Sequence, residues 1–216
     1  MTPRPAAILF DCDGVLADSE ALAALVVAED LAGRGWRVDP ARCRAIFLGR
    51  AVPDMKPVIE AEFGPLPADW PARMSHLLTE RMARDVVPVP GALEALAHIA
   101  AAWPVACASN SSRAELAAKL DRLGIAGVFG GRVFSFEDVA RPKPHPDIYQ
   151  AAARACGADP RDCVVVEDSI PGIRAGRAAG CRVLAHAGEL PPGPLAAEGA
   201  EPFARMADLP GLLGLG

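Results

Sequence analysis

The stretch ILFDCDGVLADSE, residues 8–20, runs an apolar segment into two aspartates, Asp11 and Asp13, that stand one residue apart. In an extended chain alternate side chains share a face, so the two carboxylates point the same way and repel. A divalent cation is the simplest compensation. A solvated turn would also explain the pair, but Glu167-Asp168 repeats the arrangement at the end of a second apolar run, Val164-Val165-Val166, and favours a metal site. An EF-hand does not fit, because the fifth and sixth positions of its loop would fall on Val15 and Leu16.

Outward from residues 6–10, strand-like runs recur at 104–108, 132–134, 163–166 and 181–184, and from the second onward they alternate with helix-like segments. The alternation predicts an α/β fold, with parallel strands joined by right-handed crossovers and helices on both faces of the sheet. Between the first two runs the pattern changes. Residues 19–34, 41–48, 52–63 and 69–84 all read as helix, which predicts an all-helical insert over 19–86 within a core made of 1–18 and 87–216. Val86-Val87-Pro88-Val89-Pro90-Gly91 suits a hinge or return strand, and residues 190–194 suit a surface loop.

At 216 residues the chain can bury a real core, and no apolar run approaches the roughly 20 residues of a membrane span. A net charge of −5 without basic clusters argues against a nucleic-acid partner and for a small one, leaving a monomer or small homo-oligomer. The six cysteines lack a C-x-x-C pair and read as reduced thiols; with the first strand following the N-terminus closely, they point to the cytoplasm.

Ligands of open parallel sheets bind beyond the carboxyl ends of the strands. Here those ends carry Asp11 and Asp13, then Ser109-Asn110, then Glu167-Asp168, while Arg141-Pro142-Lys143-Pro144-His145-Pro146 holds Lys143 in a proline-stiffened loop. Asp11, Asp13, Asp168 and Glu167 supply the hard oxygens that magnesium prefers. Asp11 has the position to attack phosphorus and form an aspartyl phosphate. Asp13 then serves as general acid and base, which asks for a pKa above the ordinary value of about 3.9. Ser112 and Glu115 form an S-x-x-E helix start, so Ser109 and Asn110 just before it can face a bound phosphate. Lys143 balances the charge of nucleophile and phosphoryl group.

DCDGVLADSE, CASNSS, RPKPHPDIY and VVVEDSIPGIRAG together resemble the haloacid dehalogenase-like hydrolases, in the branch whose helical cap follows the first strand. The resemblance implies a Rossmann-like core and a magnesium-dependent phosphatase acting on a small phosphorylated metabolite, a sugar or sugar-acid phosphate. It makes Asp11 the nucleophile, Asp13 the acid/base with its backbone carbonyl as the usual magnesium contact, Ser109 and Lys143 the phosphate-holding pair, and Asp168 with Glu167 the metal-placing acids. True dehalogenases lack an acid/base aspartate at position 13. The phosphonate-cleaving relatives need a cap lysine, and Lys56 lies beyond the apparent substrate loop. The similar sugar phosphomutases generally carry a histidine where this chain has Ala23, and a non-catalytic phosphometabolite-binding protein would have lost one of these residues. In the cap, Gly49 and Arg50 at a helix junction, and Glu20 at the cleft, are the expected substrate contacts.

Overall fold

Strand β1, Ala7–Phe10, is wholly buried, as its unbroken apolar run requires of a strand with neighbours on both edges. In the computed structural model, which describes residues 4–47 and 52–215, two parallel strands flank it. They are β4, Val105–Ala108, and β6, Cys163–Glu167, with Ile8 in register with both Val105 and Val164. Beyond β4 lies β5, Val133–Phe134; beyond β6 come β7, Arg182–His186, and β8, Glu201–Phe203, giving the order β5-β4-β1-β6-β7-β8. Three of the five expected strands thus begin one residue late, the one at 163–166 runs one residue long, the one at 181–184 starts one residue late and ends two residues further on, and β8 was not anticipated. It is three residues long, contains Pro202 and occupies a sheet edge, where proline is tolerated and apolar alternation is weak.

The helical segment matches its expected elements: α1, Ser19–Gly33; α2, Pro40–Phe47; α3, Val52–Phe63; and α4, Trp70–Asp85. A short antiparallel ladder brackets it, with β2, Ala17–Asp18, paired to β3, Val87–Pro88, so the chain enters and leaves through adjacent strands. The return-strand reading of residues 86–91 therefore holds over two residues. Five further helices cover the sheet: α5, Ala92–Ala102; α6, Arg113–Arg122; α7, Asp147–Ala155; α8, Ile170–Ala179; and α9, Pro192–Ala197. The expected loop at 190–194 is thereby shortened, because Pro192 starts a helix instead of continuing the turn. A last turn, α10, spans Leu209–Leu212.

Side-chain alternation along β1 divides the core in two. Ile8 and Phe10 join one cluster, which runs on through Val27, Leu31, Ile59, Trp70 and Met82 of the helical segment, while Ala7 and Leu9 join a second that includes Ile148 and Tyr149 of α7. All six cysteines are unpaired, and five of them are buried. Among the described residues no helix is long and apolar enough to cross a membrane.

Candidate active site

The carboxyl ends of β1, β4 and β6 meet at one place, as a parallel sheet with central β1 demands. Asp11 leaves β1, Ser109 leaves β4, and Glu167 and Asp168 leave β6; all four side chains are buried. Lys143 joins them from the proline-rich loop. Its N–H donates to Asn110 Oδ1 at 3.1 Å, and its carbonyl accepts from Asn110 Nδ2 at 3.2 Å. Asn110, expected to face a phosphate, thus spends its amide side chain on the Lys143 backbone.

The Lys143 ammonium lies 2.6 Å from Asp11 Oδ1 and 2.6 Å from Glu167 Oε1, and 4.9 Å from the centre of the Tyr149 ring. Glu167 is otherwise fully engaged: Oε1 accepts from the Tyr149 hydroxyl at 3.0 Å, and Oε2 accepts from the N–H groups of Asp168 and Ser169 and from the Ser169 hydroxyl, each at 2.9 Å. It anchors the lysine. Burial works to raise the Glu167 pKa, but Lys143 and these donors hold it below the ordinary range. A Cβ at Gly172 would lie 1.6 Å from Glu167 Oε1, so the first turn of α8 has room only for glycine there.

Asp11 stands differently. Burial, helped by Glu167 and Asp13, outweighs Lys143 and pushes its pKa up to about 8. Asp168 is driven well above the ordinary range by burial and by Glu167, Asp11 and Glu20, against the pull of Lys143. Asp11, Glu167 and Asp168 each offer an oxygen within 4.8 Å of the others. Three buried carboxylates around a single ammonium leave an excess of negative charge, and an all-oxygen donor set of this kind fits a hard divalent cation. Gly14 packs against this cluster with φ of +70°, and a Cβ on it would come within 1.9 Å of Asp168 Oδ2. Its carbonyl lies 3.0 Å from His186 Nδ1 at the end of β7.

The Asp13 side chain, expected among the metal-facing carboxylates, lies outside that cluster. It turns towards α6. Oδ1 accepts from Lys119 Nζ at 2.5 Å and from the Ser19 hydroxyl, and Oδ2 accepts from the hydroxyls of Ser109 at 3.0 Å and Ser111 at 2.9 Å. The expected raised pKa is corrected as well. Burial favours the neutral acid, but the Lys119 ammonium with the hydroxyls of Ser19 and Ser111 prevails and holds Asp13 at about 2. Ser109, expected to hold phosphoryl oxygens, here spends its proton on Asp13 while its oxygen accepts the Ser111 N–H at 3.0 Å. Ser112 caps α6 by accepting the Glu115 N–H at 3.3 Å, as anticipated.

Lys119 escaped the sequence reading, although a signal was there. It lies between Leu116 and Leu120 on the buried face of α6, where a lysine is out of place unless paired. Arg44 of α2 was missed too; it bonds Glu189 in the loop after β7, a contact between residues 145 apart in sequence that no local pattern betrays. Glu20, in the first turn of α1, is largely buried, and burial together with Asp13 and Glu189 pushes its pKa up to about 7 against the pull of Arg44. Lys56 pairs with Glu60 at 2.9 Å along α3. Gly49 and Arg50 lie outside the described residues.

Comparison with known proteins finds relatives that cover most of the chain. Hexitol phosphatase A of Escherichia coli is 33% identical over 184 residues, covering 82% of this chain and 81% of its own. The bifunctional riboflavin kinase/FMN phosphatase of Arabidopsis thaliana is 32% identical over 180 residues, covering 82% of this chain but 47% of its own length. Among solved structures, a haloacid dehalogenase family hydrolase of Deinococcus radiodurans with bound phosphate and sodium superimposes with a TM-score of 0.82 at 33% identity, covering 98% of this chain and 97% of the other. The haloacid dehalogenase-like hydrolase family matches residues 5–180, so the chain belongs to the haloacid dehalogenase-like hydrolases.

Proposed function

We propose that this protein is a magnesium-dependent phosphatase that hydrolyses a small phosphorylated metabolite, a sugar or sugar-acid phosphate, through an aspartyl phosphate on Asp11. The observation that carries the reading is the buried Lys143 bridging Asp11 and Glu167, with Asp168 beside them. This is the charge arrangement that a nucleophilic carboxylate and an incoming phosphate dianion both need.

In the first step Asp11 attacks phosphorus while the bond to the ester oxygen breaks, its electron pair passing to that oxygen, which takes the proton of Asp13. In the second step water attacks the aspartyl phosphate and gives a proton to Asp13, and the bond pair returns to Asp11. The proton circulates, so an alkyl phosphate and water become an alcohol and phosphate. Asp13 must be protonated at the start, and an arriving dianion favours that by opposing the ionised carboxylate. Magnesium, held by Asp11, Asp168 and the Asp13 carbonyl, would offset the charge on the phosphoryl oxygens. Ser109 and the N–H groups leading into α6 would receive those oxygens, and Lys143 would steady both partners of the attack.

The helical segment 19–86 would act as the cap over a core of 1–18 and 87–216, with Arg50, Gly49 and Glu20 supplying substrate contacts and closure excluding water. Sugar-phosphate hydrolysis agrees with the hexitol phosphatase relative. Ala23, where the mutases carry a histidine, argues against isomerisation, and the six unpaired cysteines fit a reducing compartment, the cytoplasm.

The test is phosphate release from hexitol phosphates, sugar phosphates, sugar-acid phosphates, phosphoglycolate, FMN and pyrophosphate, with magnesium or with EDTA. Magnesium-dependent release from one class names the substrate. No release from any of them, together with interconversion of sugar phosphates, would replace the phosphatase by a mutase.

A further inference from the structure

Two buried lysines stand at this site, and the mechanism above uses one. Lys119 is completely buried, 0% exposed, and its three ammonium protons have three partners: Asp13 Oδ1 at 2.5 Å, Ser111 Oγ at 2.7 Å and Glu115 Oε1 at 2.8 Å. A tripod of this kind fixes an otherwise flexible side chain. Ser111 closes the figure by donating to the other oxygen of Asp13, which also receives Ser109. Each lysine thus bridges two carboxylates: Lys143 links Asp11 to Glu167, and Lys119 links Asp13 to Glu115. Glu115 sits one turn before Lys119 on α6 and anchors it, in the way Glu167 anchors Lys143.

We propose that Lys119, held by Glu115 and Ser111, is a positioning residue that sets the orientation of the Asp13 carboxyl for proton transfer to the leaving group. The assignment rests on the phosphatase reading above and extends it to a residue that does not touch substrate. Burying an ammonium completely is costly unless every proton is paired, and two of the three pairs here lead to Asp13 or to its partner Ser111, while the third anchors the lysine on Glu115. Lys119 also lies on the helix that follows the Ser109 loop. A phosphate that draws the Ser109 hydroxyl away therefore still leaves Asp13 tied to α6.

The experiment compares kcat/KM, which reports transfer to Asp11, for two substrates of the purified full chain with magnesium. One is the best alkyl phosphate of the panel, whose alkoxide cannot leave without a proton; the other is p-nitrophenyl phosphate, whose phenolate leaves without one. In Lys119→Met the alkyl phosphate should lose about 100-fold, the low end of a general-acid contribution, and p-nitrophenyl phosphate less than ~5-fold. Equal losses on both would make Lys119 merely structural and overturn the assignment, as would unchanged values. If Lys119→Met does not fold, Ser111→Ala, which removes one leg without stranding a charge, decides in the same way: a selective loss on the alkyl phosphate supports the assignment and a uniform effect overturns it. A wild-type protein silent on both substrates would overturn the phosphatase reading itself, whereas an active wild type with uniform variant losses sinks only the role of Lys119.

Discussion

Lys143 Nζ stands 2.6 Å from both Asp11 Oδ1 and Glu167 Oε1, so Asp11, the proposed nucleophile, shares its counter-ion with a carboxylate that is already hydrogen-bonded at both oxygens. Glu167 fixes the lysine and the lysine fixes Asp11. The order of this chain has consequences that can be measured.

Lys143→Met should leave Asp11 and Glu167 buried without a cation. Breaking a buried ion pair from one side costs about 3–5 kcal/mol. Urea unfolding in EDTA should show a loss of that size, and a loss below about 1 kcal/mol would mean that the two carboxylates find compensation elsewhere.

Gly172→Ala should be destabilising because its new methyl would fall 1.6 Å from Glu167 Oε1, and overpacking of this kind costs about 1–3 kcal/mol or more. Gly193→Ala is the control: no atom lies within 4 Å of its Cβ and the site is helical, so thermal unfolding should change by no more than about 1 kcal/mol. The two variants should separate clearly in Tm.

Glu20 gives a pH prediction. Its pKa rises from 4.5 to about 7 on folding, so between those values the folded state binds more protons than the unfolded one and stability falls as pH rises. The contribution is fully present below about pH 4.5 and lost above about pH 7. Glu20→Gln should therefore gain on the wild type across that window in EDTA, by on the order of 1–2 kcal/mol once partial solvation is allowed for. Parallel stability curves for the two proteins would contradict it.

A divalent cation should stabilise the fold by relieving the cluster of Asp11, Glu167 and Asp168. At 100 times its dissociation constant, magnesium adds about 2.7 kcal/mol, a Tm rise of roughly 5–10 °C for a chain of this size. Asp168→Asn should abolish most of that rise. An equal rise in the variant would move the cation away from Asp168.

Much of this was legible in the sequence because it is local. The strands β1, β4, β6 and β7 are short apolar runs with polar punctuation, and a loop of the candidate site follows three of them directly, so strand ends and site residues were read together. The four helices of the insert announced themselves by length and by the lack of strand-like runs between them. Edge strand β8 did not, since three residues with a central proline carry no period. What the sequence hid was direction. Asp11 and Asp13 share a face in an extended chain, but the turn at Gly14 and the pull of Lys119, 106 residues away, send Asp13 to α6 instead of the carboxylate cluster. The expected raised pKa failed for the same reason, because the cation that lowers it comes from another helix.

Whether Asp11 is the nucleophile is decided by the turnover of p-nitrophenyl phosphate with magnesium by the wild type and by Asp11→Asn, each first shown by circular dichroism to be folded. The variant keeps the shape of the side chain and loses the attacking carboxylate. The wild type should turn over with magnesium, and the variant should fall by ~10⁴-fold or more, the scale on which removing a nucleophile acts. Turnover by Asp11→Asn within about tenfold of the wild type would contradict it.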